Sequence, residues 1–460
     1  MAADWTLKVE DFGRIAAAEV TVKPLTVLVG RNNSGKSYLA SLIWGTELGG
    51  WRDFVAPDAT LDALAREWVG RAQAADGKTA SLAPDERAVF EAAWYRYVTR
   101  NLGAFGDRLF GSDIQPASLS IIVPSWEQWL TIEPSKTLFG INLDNPFVFL
   151  SYDAPQVTKR RSTGFAVPIK RADWPLGEFL LCFIAGHGER LGFFSDYLRD
   201  SPIFLPASRT GFSLFLPTYI QSSLAEQHQR VMQPERGTHR LTFPQLHLLS
   251  ALAAGFGGIE GPFAAEAARL ERECLDGTIE ILAPFGVANF RFKPDSCADS
   301  IGLQHSSALV TELMPLIVAL RYAQDIPFLV LEEPEAHLHP KLQRVVTRCL
   351  ARLVRRGVRV LITTHSETVA QQINNLIKLE SLDPEQRQRF GYDADEHLAV
   401  DEVSVHEFVF REDGRTVVET VQPGPGGFGM ATFNEPLLQF AQETLALNAL
   451  LEGKGSEEPG

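Results

Sequence analysis

Cysteine is scarce in this chain: of 460 residues only Cys182, Cys274, Cys297 and Cys349 are cysteines. They are scattered, with no CxxC pair and no Cys/His cluster at zinc spacing, so they read as reduced thiols rather than as a disulfide framework. Long apolar runs are missing as well. No uncharged stretch approaches the roughly 18 residues of a membrane-spanning helix. The N-terminus, MAADWTLKVEDFG, carries acids where a secretory leader needs a basic start and an apolar core. The expectation is a cytoplasmic protein with no membrane partner. Excess positive charge is lacking too. A formal net charge of −14 rules out a surface that is basic all over and confines any contact with DNA to a local patch or a partner. What is abundant is apolar residue, at 45%, enough for one large folded body with an insertion or for two domains. No internal repeat is visible.

Along the chain, Leu7 and Val9, then Val20 and Val22, alternate as strands do about a turn at Asp11-Phe12-Gly13. Leu25 to Val29 reads as a buried strand. From about 37 to 110 the spacing is helical, as at Leu61, Leu64 and Trp68 and at Phe90, Trp94 and Tyr97. Short β-like runs follow at Leu119 to Val123, Leu138 to Leu143, Phe147 to Ser151 and Phe165 to Ile169, which predicts an antiparallel lobe. Residues 213–275 are expected to be mostly helical. The block 278–435 alternates strands and helices as an α/β core does, with a late hairpin on Asp413-Gly414. The tail from Glu452 is polar and Gly-rich and is expected to be disordered.

Gly30-Arg31-Asn32-Asn33-Ser34-Gly35-Lys36-Ser37 matches GxxxxGK[ST], follows the apolar strand and precedes a helical Tyr38-Leu39-Ala40-Ser41. Such a loop turns several backbone N–H groups, and the helix N-terminus, toward one anion. Candidate nucleotide-binding residues are therefore Gly30, Asn32, Asn33, Ser34, Gly35, Lys36, Ser37 and Tyr38, with Lys36 reaching the outer phosphates and the Ser37 hydroxyl joining a Mg²⁺ shell. ATP and Mg²⁺ are the expected cofactors. Phe328 to Leu331 is a second apolar strand, and it ends in Glu332-Glu333. At the carboxyl edge of a parallel sheet, Glu332 would hold Mg²⁺ and Glu333 would polarise the attacking water. A third buried strand, Val358 to Ile362, ends in Thr363-Thr364-His365-Ser366 and brings His365 beside the acids, where it can sense the γ-phosphate. Glu335, His337 and His339 permit a metal set, but a turn and helix start facing a neighbouring subunit is the better reading. Ser306-Ser307 opens an apolar helix reaching Gln324.

Together GRNNSGKS, SPIFLPASRTGF, HSSALVTELMPLIVAL, FLVLEEPEAHLHP and LITTHSE resemble the RecF-like and OLD-like ABC-type (AAA) soluble ATPases of bacteria. The resemblance covers roughly the first 45 residues and 203–435. It implies an α/β ABC-type P-loop ATPase head with an antiparallel β lobe and a helical insertion: residues 1–50 begin the head, 51–200 form the insertion, 201–435 complete the head, and 436–460 supply a C-terminal helix and tail. It further implies a homodimer or higher homo-oligomer with ATP sandwiched between heads. In that arrangement Ser306 and Ser307 face the other subunit's γ-phosphate. Stand-alone members resembling this chain serve as ATPase sensors of two-gene anti-phage systems such as Septu or PARIS, beside a separate nuclease or other effector protein. Three departures stand out: Glu332 replaces the commoner Asp, the signature lacks its usual glycine, and no switch-loop glutamine can be assigned. Arg209 fits either a nucleotide-edge residue or a solvated turn arginine. The alternative function is a DNA-repair or SMC-like ATPase that grips DNA through Lys159-Arg160-Arg161, Lys170 and Arg171, although a solvated hairpin face suits those residues better in so acidic a chain. A transporter ATPase fits worst, for want of an LSGGQ-like run.

Overall fold

The computed structural model describes residues 4–48, 202–218, 241–282, 288–430 and 440–448, with short segments between 63 and 168. The alternation of its first two strands is what makes them a half-buried pair. In β1 (Trp5–Phe12) the residues Trp5, Leu7, Val9 and Phe12 point inward. In β2 (Ile15–Val22) Ile15, Ala18, Val20 and Val22 do the same, and the two run antiparallel with Leu7 opposite Val20. By contrast every residue of β3 (Leu25–Gly30) is buried, as a central strand of a sheet covered on both faces requires. Helix α1 (Lys36–Leu48) follows it directly.

Between α1 and the next part of the core lie β4 (Ala80–Ser81), β5 (Ser118–Ile122), β6 (Thr131–Glu133), β7 (Phe147–Leu150) and β8 (Phe165–Pro168). Strands β4-β6-β7-β8 form an antiparallel sheet of their own, the antiparallel lobe expected from the turn-punctuated β runs. Strand β5 does not join it. It pairs antiparallel with β1 and so extends the main sheet. Most of the segment read as helical lies outside the described residues, as do Leu138 to Leu143, Cys182 and the basic cluster at Lys159 to Arg161, Lys170 and Arg171.

The remaining elements are β9 (Ile203–Leu205), α2 (Phe243–Ala253), α3 (Ala264–Leu270), β10 (Gly277–Leu282), β11 (Asn289–Pro294), β12 (Ile301–Gly302), α4 (Ala308–Tyr322), β13 (Phe328–Glu332), α5 (Pro340–Arg355), β14 (Arg359–Thr364), α6 (Glu367–Lys378), α7 (Pro384–Arg389), β15 (Val403–Phe410) and β16 (Thr416–Val421). The large sheet runs β5-β1-β2-β16-β15-β3-β14-β13-β9. Its parallel half brings the phosphate-loop strand β3 between β14 and β15 and sets β13 beside β14. Strands β10-β11-β12 form a small antiparallel sheet that leads into α4. The hairpin expected on Asp413-Gly414 joins β15 to β16, with Gly414 at φ 76. Helix α4 is buried continuously from Val310 to Leu320, the mark of a helix inside the core. Trp44 ties α1 to β9: it is fully buried, donates its indole N–H to the Pro202 carbonyl at 2.9 Å and meets Phe204, Phe243 and His247 edge-on or tilted. The fold is thus α/β: a nine-stranded mixed sheet whose parallel half follows the phosphate-loop strand, with a separate antiparallel β lobe. Among the described residues no helix is long and apolar enough to cross a membrane.

Candidate nucleotide site

The phosphate loop is shaped by two left-handed residues, Asn33 at φ 61 and Gly35 at φ 101. Asparagine tolerates that region and glycine enters it freely. A Cβ on Gly35 would lie 2.9 Å from Ile15 Cγ1, and one on Gly30 would lie 2.7 Å from Phe408 Cβ. Close backbone packing against β2 and β15 therefore demands both glycines. Lys36 opens α1 and is folded back on the loop, with Nζ donating to the carbonyls of Gly30 at 2.8 Å and Arg31 at 2.7 Å. It is buried. Burial lowers its pKa, while the carboxylates of Glu333, Glu335 and Glu332 draw it back up. Asn32, Asn33 and Ser37 are exposed, whereas Ser34 is buried with a hydroxyl that meets no hydrogen-bond partner. Tyr38 is 40% exposed, its ring edge-on to Phe12 and Phe110.

The parallel register brings the acids to this loop. Glu332, the last residue of β13, is opposite Thr363 of β14, and Thr364 is opposite Val29 of β3. Glu332 is buried, and that burial pushes its pKa up. The Ser37 hydroxyl and the Ala207 N–H, which donates at 3.0 Å, partly reverse the shift. One of its oxygens, Oε1, has no hydrogen-bond partner. A buried, incompletely satisfied carboxylate beside a serine hydroxyl and a phosphate loop fits a hydrated divalent cation. Ser37 and Glu332 would hold Mg²⁺, which when bound offsets phosphate charge. Glu333 takes φ 44, a left-handed conformation that holds its carboxylate out at the strand end, 31% exposed, while its N–H donates to the Thr363 carbonyl at 2.8 Å. His365 Nδ1 lies 3.9 Å from Glu333 Oε1.

Two groups outside the expected set organise the site. Glu335 is buried, and its Oε1 accepts from Thr364 Oγ1 and from the His365 N–H, each at 2.8 Å, with His365 Nδ1 at 3.3 Å. It anchors the histidine strand end to the acid segment. His339 caps α5 by accepting from the Lys341 N–H, and His337 takes a left-handed φ of 57. The stretch is accordingly a turn and helix start. Arg209 is neither solvated nor at a nucleotide edge: it is 1% exposed and bonded to the backbone of Glu332 and Glu333 and to Glu312. The available signal was Glu312 itself, a lone carboxylate inside an apolar helix, which burial obliges to find a partner. Ser307 is the N-cap of α4, accepting from the Val310 N–H at 3.4 Å, while the Ser306 hydroxyl donates back to the Gly302 carbonyl at 3.3 Å. The described structure thus converges Lys36, Ser37, Glu332, Glu333 and His365, and leaves Ser306 and Ser307 on a separate element.

Residues 310–370, from α4 through β13, α5 and β14 to the start of α6, match a family model described as "AAA domain, putative AbiEii toxin, Type IV TA system". That likeness is to an AAA domain and is confined to this segment. The phosphate loop lies outside the matched residues. Curated proteins supply no match. Among solved structures, an Smc head bound to the C-terminal winged-helix domain of ScpA is 13% identical, covering 92% of this chain and 98% of that one at a TM-score of 0.36. A Pyrococcus furiosus Smc head with an extended coiled coil, bound to the C-terminal domain of ScpA, is 12% identical over 96% and 100% at 0.35. The Thermotoga maritima SMC head domain is 12% identical over 91% and 98% at 0.32.

Proposed function

We propose that this chain is a Mg-dependent ATPase working as a nucleotide-driven switch, in which two copies close head to head on ATP and thereby control a separate effector, a nuclease, in bacterial anti-phage defence. The observation that carries the ATPase reading is the meeting of Lys36, Ser37, Glu332, Glu333 and His365 at the carboxyl edge of one parallel sheet. Lys36 holds the outer phosphates. Glu333 orients and polarises water for in-line attack, and His365 hydrogen-bonds the γ-phosphate side and so distinguishes ATP from ADP. Ser307, at the exposed start of α4, serves the nucleotide of the other copy. Control of a toxic activity agrees with the matched family's description, which names a toxin of a type IV system.

The test combines ATP binding, phosphate release and light scattering with and without ATP and Mg²⁺. Lys36→Ala should abolish binding, while Glu333→Gln should bind and accumulate an ATP-dependent dimer. Ser307→Trp should bind ATP yet fail to dimerise. Normal turnover in Glu333→Gln would sink the catalytic assignment, and an ATP-dependent dimer in Ser307→Trp would sink the shared site. For the effector, cells carrying the intact locus should lose phage protection on Lys36→Ala; protection that survives refutes the defence role.

A further inference from the structure

Helix α4 carries Pro315 in its interior. Proline has no N–H, so the Thr311 carbonyl one turn earlier lacks its helical donor. The segment after β9 supplies the replacement: Ser213 Oγ donates to the Thr311 carbonyl at 2.8 Å, and Arg209 Nε donates to the Glu312 carbonyl at 3.2 Å. The same guanidinium pairs with the fully buried Glu312 carboxylate at 2.9 Å. The carboxylate's other oxygen accepts from Thr210 through both N–H and Oγ1, each at 2.9 Å. Nη1 also donates to the Pro206 carbonyl at 3.2 Å, beside β9, and the rest of the fork crosses to the end of β13. Nη1 donates to the Glu332 carbonyl and Nη2 to the Glu333 carbonyl at 3.1 Å.

We infer that Arg209 is a positioning residue that couples the seat of helix α4 to the backbone conformation of the Glu332–Glu333 acid pair. An arginine present only to neutralise Glu312 would need one edge of its fork. Here, besides one bond to Pro206 of its own segment, the fork reaches two elements, one ending in the acids and the other beginning at Ser307. Glu333 is strained at φ 44 and held at both ends, by Thr363 through its N–H and by Arg209 through its carbonyl. A shift of α4 against β9 therefore either breaks the bond to the Glu312 carbonyl or carries the Glu333 carbonyl with it, and the carboxylate turns. In this way engagement at one end of α4 reaches the acids of the same chain. Only a planar fork with five donors can span these carbonyls and the carboxylate together; an ammonium cannot.

The inference rests on the proposed ATPase activity, and its test uses the full chain. Arg209→Lys keeps the charge opposite Glu312 and loses the fork. Glu312→Gln keeps the shape and loses the ion pair. With the phosphate loop untouched, the dissociation constant for a fluorescent ATP analogue should stay within about twofold in both variants. The kcat should fall about 100-fold in Arg209→Lys, the scale of a misplacement of about 1 Å, and about tenfold in Glu312→Gln. A purely structural role would lower binding and turnover in proportion, and that result overturns the inference. Should Arg209→Lys bind no nucleotide, Glu312→Gln decides, and wild-type kcat in it is fatal. A wild-type chain that hydrolyses no ATP overturns the proposed function and this coupling with it. Wild-type turnover with unchanged kcat in both variants overturns the coupling alone.

Discussion

Replacing Glu335 by glutamine isolates the anchor of the histidine strand end. In the native protein one oxygen, Oε1, accepts from Thr364 Oγ1 and the His365 N–H, both at 2.8 Å. Thr364 is fully buried, so water cannot take over its hydroxyl bond. Glutamine has the same shape, and with its carbonyl turned toward Thr364 it still accepts both bonds. Loss of the charge weakens each by about 1 kcal/mol. Its amide NH₂ then occupies the position of Oε2, which is buried without a partner, at a further cost of about 1–3 kcal/mol. Removing one of three neighbouring carboxylate charges offsets part of this, leaving a net loss of about 2–3 kcal/mol. Unfolding a chain of this length carries an entropy of about 1 kcal/mol/K, so the thermal midpoint should fall by about 2–3 °C. The larger change is in chemistry. With His365 held by weaker bonds and no longer beside a charged Glu335, kcat should drop about tenfold while ATP affinity stays level. Differential scanning fluorimetry and phosphate release measure both. A variant with the wild-type midpoint and wild-type kcat would refute the anchoring role.

Two further outcomes are expected. Gly35→Ala sets a Cβ 2.9 Å from Ile15 Cγ1 at φ 101, and the strain of about 1–3 kcal/mol should weaken ATP-analogue binding about tenfold or more; unchanged affinity would show that the loop tolerates another path. His247 and His406 are each pushed by burial from 6.5 to about 4. Between those values the unfolded chain binds protons that the folded chain does not. Stability should therefore fall as pH drops from about 6.5 toward 4, by up to about 1.4 kcal/mol per pH unit for each histidine. Denaturant titrations at several pH values should give His406→Gln a slope shallower by about that amount; an identical slope removes His406 from the account.

The parts of the site legible in the sequence were those whose chemistry is written in adjacent residues. The loop from Gly30 to Ser37 announces itself because tight backbone turns, the anion cradle and the lysine all come from one short stretch. Glu332-Glu333 and His365 follow because a run of apolar residues ending in a polar one marks a buried strand's carboxyl edge. Arg209, Glu312 and Glu335 were not legible. Their roles come from partners distant in sequence, Arg209 with Glu332 and Glu335 with Thr364, and such pairings exist only once β9, β13 and β14 lie in register. The turn chemistry of Pro-Ala-Ser-Arg pointed outward to solvent or nucleotide, whereas the buried Glu312 carboxylate of α4 draws the arginine inward. Strand β5 was misjudged for a related reason: its alternation fits any half-buried edge, and only the free side of β1 decides which sheet it joins.

The position of β3 between β14 and β15 also constrains how the molecule is made. The phosphate-loop strand leaves the ribosome long before either of its hydrogen-bonded neighbours, which both come from beyond residue 358. At typical elongation rates that leaves roughly half a minute in which a strand buried throughout in the finished protein has no ladder to join. A nascent chain therefore carries the loop sequence without the site. Any fragment truncated before β14 has the lysine and the two acids but neither the parallel neighbours that flank β3 nor His365, so the arrangement of the site is complete only once β14 and β15 have been made.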